Sequence, residues 1–161
     1  MTLFSESGEA VEIIAAETAR FGALGVETGG FVLYPTDSDE PSVVALVGER
    51  GISRHPRLLE ISALAIDRLF GFADDHNLRV RVQFHSHREE AFLSVTDKEF
   101  GLRVPGIVST VIPNFADPPA DPRSWGWWMF NADDWAEIAP WTLAGEAPRV
   151  VVFDEDGAHD G

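Results

Sequence analysis

Apolar and polar positions recur along the chain with two periods, and those periods divide it into elements. From Gly8 to Phe21, the residues Val11, Ile14, Ala15, Thr18 and Phe21 fall at helical spacing, which predicts an amphipathic helix ended by Gly22 and Gly25. Leu58 to Asn77 reads as the longest helix, with Leu58, Leu59, Ile61, Leu64, Ala65, Leu69, Phe72 and Ala73 on one face. Alternating or β-branched runs predict strands at Phe31–Tyr34, Ser42–Val47, Val80–Phe84, Gly106–Ile112, Trp125–Phe130 and Arg149–Phe153, the last as a candidate edge strand. Between them, Pro35–Pro41 reads as a turn, Gly48–Arg57 as irregular, and Asn131–Trp135 as a turn into a short helix. Pro113–Ser124 carries four prolines in twelve residues and must be loop. The order of helices and strands predicts an α/β domain over residues 1–153, with 154–161 as an acidic, disordered tail.

Composition narrows the chemistry. The 161 residues suit one domain, and the net charge of −15, from 27 acidic against 12 basic residues, disfavours nucleic acid and anionic lipid as partners. Cysteine is absent, so metal chemistry falls to histidine and carboxylate. No apolar run reaches the ~20 residues of a membrane span, and MTLFSESGEA lacks the form of a signal peptide, so a soluble cytoplasmic protein is expected.

The chemistry concentrates in Arg79–Asp97, RVRVQFHSHREEAFLSVTD. Residues two apart on a strand share a face, so His85 and His87 project together, as two imidazoles on one metal ion must. Asp97 can return through the loop as a third ligand, leaving a fourth position open. Ser94 and Asp97 also have the spacing of a capping box opening a helix Val95–Arg103, a role compatible with ligation because a capped helix start holds Asp97 in place. Lone histidines at 55, 76 and 159 have sufficient structural explanations and are left out of the site. Phe92 and Leu93 read as packing residues first and as a substrate wall second. Trp125 to Trp141, five tryptophans in seventeen residues, reads first as core and second as a docking surface.

A second stretch, Glu27-Thr28-Gly29-Gly30, stands just before the strand Phe31–Tyr34. With His85-x-His87 and Ser94-x-x-Asp97 it resembles the JAMM (MPN+) zinc metalloprotease signature: a glutamate in Glu-x-x-Gly, then His-x-His, then Ser-x-x-Asp. The similarity is to the stand-alone prokaryotic members and extends loosely over roughly residues 8 to 135. It implies a cytidine-deaminase-like fold, a curved mixed sheet flanked by helices. It also implies one zinc per chain on His85, His87 and Asp97, Glu27 as the base that holds and deprotonates the attacking water, and Ser94 as the group that steadies the oxyanion. The substrate implied is an amide at the C-terminus of a ubiquitin-like or sulfur-carrier-like protein. Two departures stand out: six residues, Arg88 to Leu93, separate His87 from Ser94 where relatives usually have seven, and Arg88 replaces a common proline. A non-catalytic MPN-type scaffold that binds a partner is the alternative, and hydrolysis of a small non-peptide amide is a third reading.

Overall fold

The computed structural model of the chain describes residues 3–141, 143, 145 and 147–161. In order, its elements are α1 (Leu3–Gly22), β1 (Gly29–Pro35), β2 (Val43–Val47), β3 (Ile52–His55), β4 (Leu58–Ile61), α2 (Ala63–Asp75), β5 (Leu78–Ser86), α3 (Val95–Phe100), β6 (Val108–Ile112), β7 (Gly126–Asn131), β8 (Asp134–Glu137), β9 (Arg149–Asp154) and β10 (Gly157–Asp160). Eight strands form one mixed sheet in the order β10-β9-β2-β1-β5-β6-β7-β8, and β3 and β4 pair apart from it as a hairpin.

The sheet has a helix on each face, and its strands β1 and β2 are apolar on both. From β1, Val32 and Tyr34 pack toward Ala10, Val11 and Ile14 of α1, whereas Phe31 and Leu33 pack toward Ala65, Leu69 and Ala73 of α2. Strands buried on both faces read as continuous apolar runs, which is why β1 and β2 are so marked in the sequence. Full burial of one side chain such as Leu69 is worth about 1.5–3 kcal/mol. The architecture is therefore mixed α/β, a large sheet flanked by helices.

Several expectations need correction. Leu58–Asn77 is not one helix: Leu58–Ile61 is β4, paired with β3 in the stretch read as irregular, and α2 starts only at Ala63. Ser62 makes the break, standing in extended backbone with its side chain accepting the Ala65 N–H. Leu58 and Ile61 fall at helical spacing as well, so the pattern alone cannot separate the two structures. The longest helix is α1.

Asn131–Trp135 opens no helix. Ala132 and Asp133 both take positive φ, 49° and 68°, and turn β7 directly into β8 as a tight hairpin. Helix α3 ends at Phe100 rather than Arg103. β9 is internal, parallel to β2 on one side and antiparallel to β10 on the other. The tail expected to be disordered thus contains β10, reached by a turn in which Asp154 accepts the Asp156 N–H and Gly157 takes φ 121°.

Trp125 and Trp127 are core residues, stacked 6.1 Å apart between ring centroids. Their indole N–H groups donate to the carbonyls of Pro119 and Pro122, which ties the proline-rich loop to the sheet. Trp128, Trp135 and Trp141 are only half-buried. Among the described residues, no helix is long and apolar enough to cross a membrane.

Candidate metal centre

The candidate site lies where β5 ends on the α2 face of the sheet. Gln83, His85 and His87 share that face, since Gln83 pairs with Phe31 across β1 and side chains alternate. His87, one residue beyond β5, is still held in pairing geometry: its N–H donates to Ile112 O, and its carbonyl accepts from Phe115 N.

Asp97 arrives on α3 by the expected capping box. Asp97 N–H donates to Ser94 Oγ at 3.0 Å, and Ser94 N–H donates to Asp97 Oδ2 at 2.9 Å. The same Oδ2 lies 3.1 Å from His85 Nε2 and 3.2 Å from His87 Nε2, and the two Nε2 atoms are 3.2 Å apart. Three donor atoms at the corners of a near-equilateral triangle fit one face of a tetrahedron: zinc bonds of about 2.0–2.1 Å put such corners roughly 3.3 Å apart. Two imidazoles and one carboxylate suit zinc better than magnesium or calcium, which favour all-oxygen ligands. Among the described residues this is the one cluster able to hold a metal ion, and His55, His76 and His159 stay outside it.

The six-residue loop Arg88–Leu93 brings these groups together. His87 Nδ1 lies 3.0 Å from the Glu90 carbonyl, which can only accept, so Nδ1 carries a proton and, in the neutral form that a metal requires, Nε2 presents its lone pair to the centre. Phe92 packs its ring edgewise on His87 and is half exposed, so it is partly a packing residue and partly a wall of the cleft.

Glu27 is 4 % exposed. Continuing the register of Gly29 with His85 and of Thr28 with Ser86 sets Glu27 across from His87, on the same face. Among the described residues its carboxylate has no hydrogen bond or ion pair. Burial pushes its pKa up to about 8, with the Asp97 charge adding and His87 opposing. Burial also acts against ionised Asp97, but hydrogen bonds from His85 and His87 outweigh it and hold that carboxyl far below the usual range. Burial acts against charged His87 as well, and is outweighed by the hydrogen bond to Asp97 and the charges of Glu27 and Asp97, so its pKa is raised.

Sequence reasoning missed the framework that holds Glu27. Ser86, between the two histidines and facing the other way, receives the Thr28 N–H on its Oγ at 2.9 Å. The Glu27 N–H donates to the backbone carbonyl of His55 in β3, so a histidine irrelevant as a ligand matters as backbone. Arg54 donates to Thr28 Oγ1 at 3.2 Å and to Val47 O at 2.7 Å, its guanidinium 3.9 Å from the centroid of Phe21. Gly29 is required by crowding, because a Cβ there would come within 2.8 Å of Leu59 Cδ2 and 3.3 Å of His85 Cα. A polar residue at the inward-facing position 86 was the available signal, but its partner is 58 residues away.

Two cavities flank the centre, and Glu27 lines both. One, of about 280 Å³, is walled by Leu58, Leu59, Ile61, Ile66 and Leu102 and reaches His85 and Asp97. The other, of about 250 Å³, is lined by Arg57, His87, Arg88, Glu89, Glu90 and Ser94. Ser94 Oγ is occupied as an acceptor, which leaves its hydroxyl proton free to donate into that cavity.

No protein-family model matches the chain, and no curated protein does. Among solved structures it is similar to the solution structure of a protein from Desulfitobacterium hafniense, with TM-score 0.58 and 16% identity over 91% of this chain and 90% of that one. A solution structure of a protein from Salinibacter ruber matches with TM-score 0.46 and 20% identity over 84% of this chain and 97% of the other. The likeness to the Desulfitobacterium protein is one of fold, and neither protein comes with a named activity.

Proposed function

We propose that the chain is a zinc-dependent peptidase or isopeptidase of the JAMM/MPN+ type, cutting an amide bond at the C-terminus of a ubiquitin-like or sulfur-carrier-like protein. The observation that carries this reading is the convergence of three donor atoms 3.1–3.2 Å apart beside a buried carboxylate with no partner of its own. The mixed sheet with a helix on each face is compatible with the JAMM/MPN fold, and the intact geometry of the six-residue loop favours catalysis over the scaffold alternative.

His85, His87 and Asp97 would hold the zinc, which when bound would supply a Lewis acid to polarise the scissile carbonyl and lower the pKa of water toward ~7. The side chains do the rest. Glu27, facing both cavities and kept ionised by the charge of a metal bound beside it, takes a proton from the attacking water and returns it to the leaving amine nitrogen. Ser94 donates its hydroxyl proton to the carbonyl oxygen as negative charge grows there. The apolar cavity suits an extended, uncharged stretch of acyl chain, and the charged cavity suits the leaving side.

The test is cleavage of a ubiquitin-like protein extended at its C-terminus, run beside small amide substrates and followed by mass spectrometry. The expected result is chelator-sensitive release of the extension by the wild type and none by Glu27→Gln, which keeps its zinc. Full turnover by Glu27→Gln overturns the mechanism, and cleavage of small amides alone replaces the protein substrate with a small one.

A further inference from the structure

Helix α3 is six residues long, too short to be stable alone, and Val95 at its start is 73% exposed. The capping box fixes its first turn internally but ties it to nothing else. Yet α3 must hold Asp97 within a few tenths of an ångström of a useful position. Among the described residues, the side-chain hydrogen bonds that tie the end of α3 to the sheet come from Gln83, two residues before His85 on the same face of β5.

The Gln83 side chain is 8 % exposed and pairs in both directions with one backbone unit: Nε2–H donates to Leu102 O at 3.1 Å, and Oε1 accepts from Leu102 N–H at 2.9 Å. A side-chain amide thus stands in for a neighbouring strand and pins the chain just past α3. Gly101, between the pin and the helix, donates its N–H to Asp97 O at 3.0 Å, and a Cβ there would lie 2.9 Å from Asp97 O and 3.1 Å from Gln83 Nε2. On the outer side, Trp135 Nε1 donates to Lys98 O at 3.4 Å, a longer and exposed contact.

We infer that Gln83 is a positioning residue for the metal centre: strand β5 carries two ligands directly, and through Gln83 it also sets the place of the third, so the three move as one unit. The inference rests on the metal-binding reading and extends it to a residue outside the ligand set. Groups that orient ligands without touching the metal typically contribute 10–100-fold in metal affinity.

The experiment is zinc affinity by chelator competition for the wild type, Gln83→Met, Asp97→Ala and the double variant, with far-UV circular dichroism and thermal melting as folding controls. Gln83→Met is expected to weaken zinc binding 10–100-fold and to change it less than twofold in the Asp97→Ala background, since the ligand it positions is then gone. Gly101→Ala, whose backbone angles alanine tolerates, is a gentler second probe and is expected to weaken binding severalfold. Wild-type affinity in a folded Gln83→Met, an equal loss with and without Asp97, or, should Gln83→Met not fold, unchanged affinity in Gly101→Ala overturns the inference. Failure of the wild type itself to bind zinc overturns the metal reading, a result distinct from any of these.

Discussion

Ser62 and Ser94 stand in nearly the same backbone conformation, φ/ψ of −65°/155° and −71°/168°, each at the start of a helix. Each accepts an N–H from three residues on, Ala65 at 3.2 Å and Asp97 at 3.0 Å. From there they diverge. The Ser62 hydroxyl donates to Glu155 Oε2 at 2.7 Å, tying α2 to the β9–β10 turn, and its third residue is an alanine buried against the sheet. Ser94 has a carboxylate at that position, and one oxygen of it, Oδ2, meets the Ser94 N–H and both histidines. The same serine-to-third-residue bond therefore serves a joint in one place and a candidate metal centre in the other. The difference lies in the third residue: Ala65 packs on the sheet, whereas Asp97 returns a bond to the Ser94 N–H and faces the two histidines.

The sharpest way to break the comparison is to make the second cap like the first. Asp97→Ala gives Ser94 the same third residue as Ser62; it is expected to weaken zinc binding so far that almost none survives purification, and to reduce hydrolysis to background, read by metal content and turnover. Glu27→Gln comes next, with turnover falling about 10²–10⁴-fold while zinc stays bound. Ser94→Ala should keep zinc but lose about 10²–10³ in rate with its oxyanion donor, and about 1 kcal/mol of stability with its cap. Ser62→Ala should lose the cap and the bond to Glu155 without touching the site: about 2 kcal/mol, a melting shift of roughly 4–8 °C, with zinc and turnover unchanged.

A pH series sharpens the contrast between Glu27 and Asp97. Glu27 binds its proton more tightly folded, at about 8, than unfolded, near 4.5, so its contribution to stability is whole below 4.5 and is lost as pH rises to 8. Raised His87 acts in the same direction. Asp97, held low, contributes stability above its unfolded pKa that is lost as pH falls. Metal-free protein should therefore melt lower at pH 9 than at pH 6, and Glu27→Gln should remove a large part of that slope, as thermal denaturation across pH will report.

What the sequence made legible was local. Val80–Phe84 announces a strand by alternation, Val80, Val82 and Phe84 against Arg81 and Gln83, and Gly106–Ile112 by its β-branched residues, and His-x-His and Ser-x-x-Asp are visible because strand and helix-start spacings bring those atoms together. Leu58–Ile61 reads as helix in the sequence because four residues fit either period, and only the Ser62 cap separates them from α2. Residues 154–161 looked disordered because their pairing depends on β9, which they cannot reveal alone. Glu27 was found only through a family resemblance, since the register of β1 on β5, not any local pattern, sets it opposite His87. Ser86 with Thr28 and Gln83 with Leu102 stayed hidden for the same reason.

The central claim is that two strand histidines and a capped aspartate form a zinc site. Zinc per chain, by elemental mass spectrometry on protein purified without added metal or chelator, tests it most directly when wild type and Asp97→Ala are measured side by side. About one zinc per chain in the wild type and almost none in Asp97→Ala is the predicted result. A wild type that carries no zinc and takes none up on addition, or an Asp97→Ala that holds as much as the wild type, contradicts it.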